Sequence, residues 1–125
     1  MNLEKISLNE RVAFFINVYN ALVIHGTVEK GTPKNNWQRY KFFSSTSYNL
    51  GGHIYSLNDI ENGILRANKS AMGTLYMTPF SKDDPRLSLA LDQAEPRIHF
   101  ALNCGAKSCP PIKTFSGANV SKATL

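Results

Sequence analysis

Cysteine is scarce in this 125-residue chain. The two present, Cys104 and Cys109, are too few for the disulfide scaffold of a small secreted domain. A secretory leader is not legible either, because Glu4, Asn9 and Glu10 sit where an apolar stretch belongs. No apolar run approaches the roughly 18 residues of a membrane helix, and the longest, around Val12 to Ile24, is interrupted by Asn17, Tyr19 and Asn20. Neither a nucleotide-binding glycine loop nor a P-loop lysine occurs. Charged residues reach only 18%, against 42% hydrophobic. That balance suits a folded chain, and 13.9 kDa suits one domain with one core. The expectation is a cytoplasmic domain without membrane association.

Acidic residues are also the minority, nine against fourteen Lys and Arg, for a net charge of +5. The excess pulls weakly on polyanions. Its members are scattered singly, and the one local cluster is Lys34, Arg39 and Lys41 around Trp37 and Tyr40. In a segment read as loop, such a cluster is a solvated surface, and no specific nucleic-acid partner is expected.

What is present begins with a helix. Ser7-Leu8-Asn9-Glu10 fits a capping box, and Val12, Phe15, Ile16, Tyr19, Leu22 and Val23 recur at helical spacing, with Gly26 as the expected stop. Asn17 and Asn20 share one side of it; they either face water or turn inward to orient a buried loop. Residues 29–40 read as loop. Tyr48 to Tyr55 around Gly51-Gly52 reads as a β-hairpin, and Ser56 opens a second helix ending near Asn68. Asp59 and Glu61 suit its positive end. Asp84-Pro85 resembles another helix start, and Asp84-Pro85-Arg86-Leu87 is echoed by Glu95-Pro96-Arg97-Ile98, too little for a repeat architecture. Residues 97–102 alternate as a strand. From Ser116 a further helix begins, and the chain stops at Leu125 before completing it, so a longer protein is expected.

Chemistry concentrates between His99 and Cys109. A histidine followed five positions on by a cysteine in a glycine turn can bring imidazole to sulfur, and imidazole lowers a thiol's pKa. A third polar group, from Asn17, Asn20, Asp59, Glu61 or Asp84, would fix the imidazole tautomer. The same atoms allow three other uses: an inert buried thiol within a polar network, a reversible Cys104–Cys109 disulfide, or a zinc site with His99 as third ligand. No resident cofactor or metal is assigned.

Five motifs in order carry a resemblance. They are Phe15-Ile16-Asn17-Val18-Tyr19-Asn20-Ala21-Leu22, Gly51-Gly52, Ser56 to Glu61 with Ile64-Leu65-Arg66, Asp84-Pro85-Arg86, and Ile98 to Pro110. Together they resemble the family called domain of unknown function 547, over residues 5–125. The resemblance implies a single α+β domain similar to papain-like thiol hydrolase and transglutaminase-type cores, with permuted elements as one form. It also implies partners fused in the same chain, a glutaredoxin-like or DEP domain among them. His99, Cys104 and Cys109 match the family's histidine and two cysteines, Asn17 and Asn20 its helix asparagines. Glu61 and Arg66 would form a structural or substrate-positioning pair. Papain-like enzymes carry the nucleophile at the start of a long helix, and the first helix here has no cysteine. The resemblance therefore leaves two functions: a thiol-dependent hydrolase or acyl transferase, or a noncatalytic scaffold.

Overall fold

The computed structural model describes residues 3, 5–69 and 78–102, with the backbone alone for residues 99 and 100. Ser7 caps α1 (Leu8–Lys30) by accepting a hydrogen bond from the Glu10 amide. The apolar stripe read from the sequence is the buried one: Val12, Phe15, Ile16, Tyr19 and Leu22 lose all or nearly all contact with solvent. Gly26 does not end the helix. A Cβ there would lie 2.7 Å from Thr46 Cγ2 and 2.9 Å from Phe42 Cζ, so the glycine is a seat for the next helix. The stop is Gly31, whose φ of +79° suits a residue without a Cβ.

By length and composition alone α1 could cross a membrane, contrary to the sequence expectation; its most apolar 18-residue window has a mean hydropathy of 1.3. Half of that window is buried inside the domain, so the apolar residues serve a protein core here.

The expected loop over residues 29–40 is only partly loop. Asn35 caps α2 (Asn36–Ser45), its side chain accepting from the Gln38 amide, while the Gln38 side chain accepts from the Lys34 amide. The first bond satisfies an orphan donor of the opening turn, and the second ties the residue before the cap to the same turn. Phe42 is the one buried residue of α2. A single anchoring aromatic leaves no apolar period to read, which hid the helix in the sequence.

The hairpin forms as expected. Strands β1 (Ser47–Leu50) and β2 (His53–Ser56) pair antiparallel, Leu50 opposite His53, across Gly51-Gly52. Both glycines have positive φ, as a two-residue turn of this hand requires. Next, Ser56 and Asp59 cap each other: the Asp59 amide donates to Ser56 Oγ, and the Ser56 amide donates to the Asp59 carboxylate. The helix that follows widens into a π-helical segment, Asp59–Leu65. Its end is closed by Asn68, whose amide donates to the Gly63 carbonyl and whose side chain pairs with both backbone groups of Phe80.

Asp84 caps the short 3₁₀ helix Pro85–Leu89, as its sequence predicts. Residues 97–102 are not a strand. They contain α3 (Ile98–Ala101), in which Ile98 and Ala101 are buried, followed by buried Leu102. Ile98 and Leu102 share a face in a helix as in a strand, Ala101 joins them only in a helix, and no strand lies beside them among the described residues. Helices around a two-stranded sheet make this an α+β domain. One cluster, from α1, the hairpin, the π-helical segment, Phe80, Leu89, Leu91 and α3, forms its core.

Candidate functional site

Asn20 is 2% exposed, and its side-chain amide donates to the Ala101 carbonyl at 3.0 Å. The asparagine thus faces inward and holds α3 against α1. Asn17, one turn earlier, is partly buried and also has a polar partner. Between the two sits Tyr19, fully buried, whose hydroxyl donates to Glu61 Oε1 at 3.2 Å. Burial pushes the Tyr19 hydroxyl well above its ordinary range, and the Glu61 charge adds to the effect. The tyrosine therefore stays a neutral donor.

The acidic residues singled out in the sequence go to two different places. Glu61 serves Tyr19, and among the described residues no ion pair joins it to Arg66. Asp59 and Asp84 converge on Arg86, at 3.0 and 2.7 Å. Its guanidinium also donates to the Ile54 carbonyl and lies 4.5 Å from the centre of the Phe80 ring. Hydrogen bonding to Arg86 holds the Asp84 carboxyl below its ordinary range.

Arg86 is the residue that sequence reasoning passed over, and the tripeptide echo was its signal. Arg86 donates its amide, Nε and Nη2 to the Asp84 carboxylate; Arg97 donates the same three groups to Glu95. Each acid–Pro–Arg unit closes a bidentate clamp on itself at the start of a short helix. The likeness is one local device used twice. Arg97 further reaches Asn9 at the start of α1, and its hydrogen bonds hold Glu95 below the ordinary carboxylate range.

A second feature is a groove of about 590 Å³ between the hairpin, α1 and the 3₁₀ helix. Phe14, Leu50 and Leu89 give it an apolar lining, with His53, Asn49 and Ser88 as polar groups. None of its described lining residues belongs to the set read from the sequence.

Of that set, Asn20 bonds the Ala101 carbonyl on α3, the helix whose backbone includes residue 99. Cys104 and Cys109 lie outside the described residues. Among the described residues no three His, Cys, Asp or Glu side chains gather as metal ligands. Comparison with curated proteins and with solved structures gave no match. The model of one family, described as a protein of unknown function, DUF547, matches residues 3–124, nearly the whole chain. The chain, with its paired helix asparagines, acid–Pro–Arg clamps and His99 segment, belongs to the DUF547 family of proteins of unknown function.

Proposed function

We propose that this domain is a thiol-dependent hydrolase or acyl transferase, on a core similar to papain-like enzymes with permuted elements. In this reading Cys104 is the nucleophile, with Cys109 the alternative, and His99 the general base. The observation that supports it is the Asn20–Ala101 bond. A buried amide in a helix interior is costly unless its hydrogen bond matters, and this one fixes the backbone two residues after His99 and three before Cys104. Asn20 is thus a positioning residue. In the reaction, His99 takes the thiol proton as sulfur attacks an acyl carbon. The leaving group departs with that proton, and water or an acceptor nucleophile then releases the acyl group from sulfur.

The test is the pH dependence of alkylation by iodoacetamide. A catalytic thiol reacts in the folded protein with a midpoint well below the ordinary value of about 8.5, and His99→Ala moves that midpoint up. Alkylation of both thiols only after denaturation removes the proposal.

One observation favours the noncatalytic reading instead. The polar groups at the heart of the domain bond to structural partners: Asn20 to backbone, Tyr19 to Glu61, Asn62 to Asn58. A scaffold held by such a network loses about 1–3 kcal/mol in Cys104→Ser or His99→Ala, the cost of an orphaned buried partner, and shows no acidic thiol.

A further inference from the structure

Between Glu29 and Asp59 the chain contains no acidic residue, while Lys30, Lys34, Arg39 and Lys41 fall in the same stretch. Read as a loop, these residues are dispersed. The structure makes α2 of them, and Trp37, Tyr40, Lys41 and Ser44 then fall at helical spacing on one exposed face. Trp37 is 66% exposed and Tyr40 57%, large values for two aromatic rings on one short helix. Their rings lie nearly parallel, 20° apart with centroids at 6.0 Å. Lys41 Nζ stands 5.6 Å over the Trp37 ring.

Lys41 also lines a cleft of about 280 Å³ between α2 and the end of α1, together with Lys30, Thr32, Gln38 and Ser45. The described partners of the Lys30 ammonium are two hydroxyls, Ser45 Oγ at 3.2 Å and Thr46 Oγ1 at 3.0 Å. No carboxylate lines this cleft among the described residues. Two cations over hydroxyl and amide groups suit a phosphate, and the rings beside them suit flat, stackable groups.

We infer that the outer face of α2 and the lysine-lined cleft beside it form a sequence-tolerant binding surface for single-stranded nucleic acid. Phosphates alternating with planar rings are what a single strand presents, and stacking on aromatic side chains beside a cationic track is how such strands are held. A duplex keeps its bases stacked inside, out of reach of Trp37. An acidic peptide offers the charge without the repeating rings. Stacking of this kind is tolerant of sequence, because every base offers a flat face. Binding by so few cations falls in the range of about 10⁻⁶–10⁻⁴ M that non-specific contacts give. The residues named in this surface include neither His99 nor a cysteine, so the proposal stands or falls apart from the thiol reading.

Trp37 is the only tryptophan, so its fluorescence reports on this face alone. Titrating the 125-residue chain with a 15-nucleotide oligothymidylate should quench it saturably. Raising salt from 50 to 200 mM should weaken binding about ten-fold if two or three phosphates are engaged. With a dye-labelled oligonucleotide read by anisotropy, Trp37→Ala and Lys41→Glu should each weaken binding about ten-fold or more. Lys5→Glu, the same charge change beyond the opposite end of α1, should leave it within about two-fold, and all three variants should melt as the parent does. The proposal is overturned by tight binding that survives Trp37→Ala. It is equally overturned if inorganic polyphosphate, polyglutamate or phosphatidylserine vesicles quench Trp37 as well as the oligonucleotide does, or if none of these probes binds.

Discussion

An asparagine inside a helix competes with its own backbone for hydrogen bonds, and burial removes water as the other partner. Asn20 resolves both difficulties with the Ala101 carbonyl, which α3 brings within 3.0 Å. Asn20→Ala should therefore destabilise the domain by about 1–3 kcal/mol, because the carbonyl is left buried without its donor. Urea denaturation measures this, and a change below about 0.5 kcal/mol would show that the bond contributes nothing. Tyr19 works on the same principle at the other end of its ring: the aromatic body fills the core, and the hydroxyl ends at Glu61. The sequence showed that Asn17 and Asn20 share a side but not which medium that side meets. Periodicity fixes a residue's direction on a helix; only the arrival of α3 decides whether that direction is wet.

The elements meet at two glycines for one reason, the absence of a Cβ. At Gly63, in the π-helical segment, a Cβ would stand 2.5 Å from Phe80 Cε2 and 2.6 Å from Cζ. Phe80 cannot retreat easily, since its backbone is paired with Asn68 and Arg86 lies over its ring. Gly63→Ala gains about 1 kcal/mol in helix propensity. Overpacking against a fixed ring outweighs it, so the net should be a loss of about 1–3 kcal/mol in thermal or urea unfolding. An equal or more stable variant would mean that Phe80 moves. Elements were legible where a local signal sufficed: the Ser7 cap, the Gly51-Gly52 turn, Asp84-Pro85. Where a tertiary contact set the outcome, the local signal misled. Gly26 reads as a stop and is a seat for Phe42. Residues 97–102 read as a strand and hold the helix α3, because Ile98 and Leu102 share an apolar face in both geometries and no partner strand lies beside them among the described residues.

Across the whole molecule, two Arg clamps and two buried tyrosines set opposite limits on pH. Asp84 and Glu95 have their carboxyls held below the ordinary values near 4 by bonds to Arg86 and Arg97. Their contribution is complete above those ordinary values and is lost as pH falls through the depressed ones. Tyr19 and Tyr55 are raised, chiefly by burial. Their contribution is complete below about pH 10 and is lost as pH rises through the raised values. Unfolding free energy should therefore be level near neutrality and fall below about pH 4 and above about pH 10. Circular dichroism in urea across pH checks it. Asp84→Asn with Glu95→Gln should flatten the acid side alone, and an unchanged acid slope would remove the clamps from the account.

Taken alone, the residue order determined the hairpin and the Ser7, Ser56 and Asp84 caps, because each rests on chemistry within a few positions of itself. The family, and the α+β class it implied, came from five motifs spread along the chain. It also marked the acid–Pro–Arg echo, whose bonds close within three residues. Only the tertiary structure decided that Asn20 meets α3, that Arg86 joins Asp59 to Asp84, and that Trp37, Tyr40 and Lys41 share one face. Those groups depend on segments far apart in the chain, or on a helix with one buried anchor, and short-range periodicity carries no record of either.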